Sequence, residues 1–104
     1  MKIVEIHPPD YNDSFSSVTL DGIMYLIRFT WSEYAQRWSF GLYTLQKEPI
    51  AVGIRIVPRI PLNLHIAIAS FPSGAFLVNT SFKEVGRDDF VSGKAAFIYI
   101  STNG

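Results

Sequence analysis

Asp21-Gly22 sits between two strongly β-forming runs, Phe15 to Leu20 and Ile23 to Trp31. A two-residue loop of this composition is a hairpin turn. Type I′ geometry needs positive φ at both central residues, which glycine adopts freely and aspartate tolerates, and its twist matches the right-handed twist of the flanking strands. The turn anchors an all-β reading of the whole chain.

Side chains alternate in direction along a strand, so Ile23, Tyr25, Ile27, Phe29 and Trp31 share one face. That face is uniformly apolar and is expected in the core; Met24, Leu26, Arg28 and Thr30 lie on the other. Upstream, Lys2 to Ile6 reads as a short first strand stopped by His7-Pro8-Pro9, whose rings withhold ladder donors. Ser32 to Arg37 is polar, too short for an independent helix, and joins the hairpin to a strand from Trp38 to Leu45. There Trp38, Phe40, Leu42 and Thr44 oppose Ser39, Gly41, Tyr43 and Leu45. Ile50 to Val57 is β-branched, with Gly53 the expected site of a bulge or close backbone approach. Pro58-Arg59-Ile60-Pro61 makes a rigid corner. Leu62 to Ala69 and Ala75 to Thr80 read as further strands, separated by the breaker-rich turn from Ser70 to Gly74. Phe82 to Gly93 is irregular. Ala95 to Ile100 is apolar on both sides, as expected of a strand that is central or covered. The fold class is all-β, a small antiparallel β-sandwich or barrel of about seven to eight short strands.

The 104 residues are expected to form a single β domain over 1–104. Nine basic and nine acidic side chains cancel and are scattered, so the positive field of a phosphate-tracking protein is missing and no nucleic-acid partner is expected. Zero net charge is compatible with assembly into oligomers. Without cysteine, no disulfide framework or thiolate metal site can form. The first ten residues, MKIVEIHPPD, lack the apolar stretch of a secretory signal. Arg55 and Arg59 interrupt the most apolar half before about 18 apolar residues can accumulate, so no membrane partner is expected.

No cluster announces a reaction. His7 lies beside two prolines and His65 in an apolar run, without HExxH or Gly-x-Ser-x-Gly spacing around either. Asp88 and Asp89 are paired carboxylates beside Arg87, a combination able to hold a cation or share acid and base roles. Sequence neighbours rarely converge on one substrate, so the group reads as a structured loop. No catalytic residue, metal site or cofactor is expected. Trp31, Tyr34, Arg37 and Trp38 place aromatics around a basic residue, a mixture used for sugar stacking, base stacking and protein contacts. Trp31 continues a core face, leaving Tyr34 at the loop tip as the better contact. Arg55 and Arg59 flank Val57-Pro58 either at a subunit boundary or at a solvent-facing edge.

The order and spacing of several pieces resemble the small baseplate plug proteins of contractile-tailed phages and their prophage relatives. They run Phe15-x-x-Val18-x-Leu20-Asp21-Gly22, then Tyr25-x-x-Arg28-x-x-Trp31, Arg37-Trp38 with Leu42, Pro49-Ile50, Gly53, Val57-Pro58, Pro72-x-Gly74 and Gly86-Arg87-Asp88-Asp89-Phe90. The resemblance implies a non-enzymatic structural protein of the virion, made in the bacterial cytoplasm. It further implies a homo-oligomer that closes or adapts the tail channel against hub and tail-tube proteins. Tyr34, Arg55, Arg59, Arg87 and Asp88 are the expected protein contacts. The alternative is a β-barrel that stacks an oligosaccharide or single-stranded nucleic acid on Tyr34 and the neighbouring tryptophans; a hydrolase using His65 with Asp88 or Asp89 ranks below both.

Overall fold

The computed structural model describes residues 2–63 and 71–101. Among them are seven strands: β1 (Lys2–Ile6), β2 (Asp13–Leu20), β3 (Ile23–Ser32), β4 (Arg37–Tyr43), β5 (Pro49–Arg55), β6 (Ala75–Thr80) and β7 (Ala95–Ser101). One four-residue helix, α1 (Asp89–Ser92), precedes β7. The strands form two antiparallel sheets, ordered β1-β7-β6 and β2-β3-β4-β5. The result is a sandwich, and the barrel alternative is set aside.

Asp21 and Gly22 adopt φ of 54° and 83°, the positive values a primed turn demands, and Leu20 pairs with Ile23 across them. From this turn the alternation delivers Tyr25, Ile27, Phe29 and Trp31 to the interior. Trp38, Phe40 and Leu42 of β4 join them. Ile23 does not: it is 57% exposed, because at the turn end of β3 it lines an open cleft and is not covered by the facing sheet.

The two sheets meet through phenylalanines. Phe97 of β7 lies 5.1 Å from both Phe29 and Phe40, edge-on in each case, and Phe40 lies 5.2 Å from Phe76 of β6. Edge-to-face rings set a positive edge against a negative face, contributing about 0.5–1.5 kcal/mol per pair beyond simple burial. Phe90 of α1 closes this cluster 6.3 Å from Phe97, so the irregular stretch before β7 serves as a lid on the core.

β7 is the central strand of its sheet, which explains its two apolar sides. Phe97 and Tyr99 point inward, while Ala96, Ile98 and Ile100 are half-buried on the outer face, with Ile3 and Leu77 as cross-strand neighbours. At Gly53 the expected bulge is present: φ is 68°, and Val52 and Gly53 together oppose Gly41, since Ala51 pairs with Leu42 and Ile54 with Phe40. Leu62 and Asn63 lie in a turn, and the rest of the expected strand from Leu62 to Ala69 lies outside the described residues. The proline corner before it seals the outer edge of β6, with Arg59 N–H donating to Val78 O at 3.1 Å and Leu62 N–H to Phe76 O at 2.8 Å. No helix among the described residues is long and apolar enough to cross a membrane.

Candidate functional site

Antiparallel strands bring the connections to two opposite ends of the sandwich. One end carries the β3–β4 turn with Tyr34; the other carries Gly22.

At the Tyr34 end the β3–β4 turn is held by Ser32, whose Oγ accepts from Ala35 N–H at 3.0 Å and whose carbonyl accepts from Gln36 N–H at 2.7 Å. Tyr34 at its tip is fully exposed, at 101% of the reference area. Arg55, at the end of β5, lines a depression of about 370 Å³ together with Arg37, Lys83 and Glu84. Arg59 holds a positive φ of 68° and donates from Nη2 to Phe82 O at 2.6 Å. Its guanidinium therefore ties the corner to the loop after β6.

Arg87 is more deeply built in. Its Nε donates to Asn12 Oδ1 at 2.6 Å, and its guanidinium lies 5.4 Å over the Trp38 ring. Nη1 sits 3.1 Å from Asp10 Oδ1 and 3.6 Å from Asp88 Oδ1, paired by charge without hydrogen-bond alignment. Trp38 Nε1 donates to Gly86 O at 3.2 Å, and Gly86 N–H donates to Asp89 Oδ2 at 2.6 Å. The two carboxylates thus have separate partners, Asp88 facing Arg87 and Asp89 closing the Gly86 turn. Among the described residues no group of three or more histidine and carboxylate side chains is placed to hold a metal ion. His65 lies outside the described residues.

All five expected contact residues, Tyr34, Arg55, Arg59, Arg87 and Asp88, fall at this one end. The tryptophans do not join them. Trp31 and Trp38 are only 7% and 1% exposed and pack on each other with ring centroids 5.5 Å apart. A stacking platform would be left with Tyr34 alone.

The Gly22 end is apolar. A cleft of about 690 Å³ opens between the β2–β3 turn, the turn after β4 and the residues before β6, lined by Ile23, Met24, Leu45, Ile50, Phe71 and Pro72 among others. Ile23, Met24 and Leu45 are 57%, 52% and 48% exposed. Residue alternation carried a signal for one of these, since Met24 falls opposite the core face of β3; Leu45, expected as the last residue of a strand from Trp38, lies instead in the turn after β4, which ends at Tyr43.

A polar latch spans the same end. Asp21 Oδ2 accepts from Tyr99 Oη–H at 2.5 Å, and Asp21 Oδ1 accepts from the Ser101 hydroxyl. These hydrogen bonds, Ser101 first and then Tyr99, hold the Asp21 carboxyl below the usual carboxylate range. Burial and the bond to Asp21 push the Tyr99 hydroxyl up to about 12. Tyr99 Oη in turn accepts from Gly74 N–H at 2.9 Å. Asn63 completes the corner, donating to Gly74 O at 2.8 Å and accepting from Phe76 N–H at 3.1 Å.

Compared with known proteins, residues 1–103 match the family model described as cyanophage baseplate Pam3 plug gp18. No curated protein matches the chain.

Proposed function

This chain belongs to the cyanophage baseplate plug gp18 family, and from that premise we propose that it works by occlusion and adhesion, closing or adapting the tail channel through contacts with hub and tail-tube proteins. It is a baseplate plug protein and hence a component of the virion. A structural plug implies a non-enzymatic role. Several copies at the baseplate centre, each a single domain over 1–104, complete the reading.

The observation that carries it is the apolar cleft at the Gly22 end. Monomeric proteins rarely leave large apolar side chains grouped around an open depression, and such patches mark interaction surfaces. Ile23, Met24 and Leu45 each keep about half of their area in water, so covering them stabilises a complex by roughly 1 kcal/mol per side chain. The Tyr34 end supplies a different kind of contact. Tyr34 offers a large amphipathic ring, and Arg55, Arg59, Arg87 and Asp88 offer charges suited to setting orientation and encounter rate at an interface rim.

Co-expression with the hub and tail-tube proteins of the same phage tests this. The wild-type chain is expected to co-purify with at least one of them, and the pair Met24→Asp and Leu45→Asp to abolish capture without changing the melting temperature. A strict monomer that associates with neither protein would refute the reading.

A further inference from the structure

We propose that a second copy of this chain pairs with the open edge of β2, antiparallel and around a two-fold axis. This goes beyond the plug reading, and it is tested on the isolated protein.

An edge strand offers unpaired main-chain groups to any other strand, and folded proteins blunt such edges with charge, proline, bulges or covering segments. Three of the edges here are blunted. β5 begins with Pro49 and is broken by register shifts. β6 is sealed by the main chain of Arg59 and Leu62. β1 is five residues long, with exposed Lys2 and Glu5, and Pro8-Pro9 follows it. β2 carries a single charge, Asp13 at its first position, and among the described residues it shows none of the other devices. Its eight residues, Asp13-Ser-Phe-Ser-Ser-Val-Thr-Leu20, contain no proline, glycine or lysine, and they pair with β3 without a register shift.

The two-residue turn fixes which groups are free. It makes Leu20 and Ile23 a hydrogen-bonded pair, so Leu20, Val18, Ser16 and Ser14 direct their main-chain groups at β3. Asn12 O continues the series by accepting from Trp31 N–H at 2.7 Å. Asp13, Phe15, Ser17 and Thr19 therefore point N–H and C=O outward. Among the described residues, none outside β3 makes a main-chain hydrogen bond to this strand.

The strand is complementary to itself. With Ser16 opposite Ser16 of the second copy, Asp13 faces Thr19 and Phe15 faces Ser17, and all four outward residues of each copy are engaged. In this register inward side chains meet inward side chains, so the sandwich face continues across the junction. The charges agree. The sole charged residue of β2 is Asp13, bound by its own Arg28 through bonds of 2.7 and 2.6 Å. The two Asp13 side chains sit at opposite ends of the ladder, about 20 Å apart at ~3.4 Å per residue. Pairing joins two four-stranded sheets into one continuous sheet.

The chain has no cysteine, which makes a disulfide trap clean. Facing residues in a non-hydrogen-bonded pair have Cα atoms close enough for a disulfide. Ser16→Cys is expected to cross-link into a dimer under mild oxidation, whereas Ser17→Cys, one residue away and on the opposite face, is not. By sedimentation, the wild-type protein is expected to dimerise at about 100 µM, and Ser17→Pro, which removes an outward N–H, to raise the Kd about tenfold or more. Ser17→Lys, a charge on an exposed position, gives the same outcome if the proline variant does not fold. A wild-type monomer at that concentration overturns the proposal, as does a dimer indifferent to both substitutions. Protection of the β2 amides from hydrogen exchange only when hub protein is added also overturns it, assigning the edge to a foreign strand.

Discussion

Gly74 is a point where a single methyl group should unsettle the molecule. Its φ is not in the left-handed region, so the restriction is one of space. A Cβ built there meets Ile100 O and comes within 2.5 Å of Tyr99 Cζ and Oη. The first obstacle is main chain in the central strand of a sheet, and the second is a ring that is fully buried; neither can swing aside. Overpacking of this kind costs about 1–3 kcal/mol, and displacing the ring also loosens the Gly74 N–H bond to Tyr99 Oη, about 1 kcal/mol more. Gly74→Ala is therefore expected to lose about 2–4 kcal/mol, a fall of roughly 10–25 °C in melting temperature for a domain of this size, read by circular dichroism. Gly22→Ala is the control. Nothing lies within 4 Å of a Cβ at Gly22, so only its positive φ resists, at about 1 kcal/mol. Tyr99→Phe removes one of the obstructing atoms, so the double variant Gly74→Ala/Tyr99→Phe should lose less than the sum of the two singles. A Gly74→Ala protein that melts within a few degrees of wild type, or strict additivity in the double variant, would refute the steric argument.

Stability should also depend on pH at both extremes. Asp21 and Asp13 have folded pKa values lowered by hydrogen bonds from Ser101 and Arg28 respectively, so their stabilisation is full above the unfolded value near 3.9 and is lost as pH falls through the folded values. Tyr99, raised to about 12, contributes stability below about pH 10 that is lost as pH climbs; Asp21→Asn should flatten the acid limb of a denaturation series run across this range, and an unchanged limb would contradict the latch. Phe97→Ala removes the ring shared by both sheets and should cost about 3–5 kcal/mol, shown by a lower urea midpoint; a loss under 1 kcal/mol would mean that the sheets do not depend on that cluster.

What was legible in the residues tracks the range of the interactions. Asp21-Gly22 is a local matter of two φ angles, and alternation along β3 and β4 separated inward from outward side chains because each strand has one apolar face. Alternation says which way a side chain points but not how far the opposing sheet reaches, which is why Ile23 was expected in the core and lines a cleft. Arg87 was readable as a loop residue beside carboxylates; its seat over Trp38 depends on β4 and the Gly86 turn meeting across the fold. Asp21 shows the limit best. Its turn role is written in its neighbour, whereas its partners Tyr99 and Ser101 stand 78 and 80 positions away and carry no local mark.

The position of β7 bears on how the protein comes into being on the ribosome. β2 to β5 form a meander of neighbours in sequence and can zip together while translation continues, since short loops close quickly. β1, although made first, pairs among the described residues only with β7, which emerges about ninety residues later to slot between it and β6. Throughout that interval the inner aromatics of the nascent meander stand uncovered, a sticky half-product whose rescue depends on the final strand arriving before another chain does.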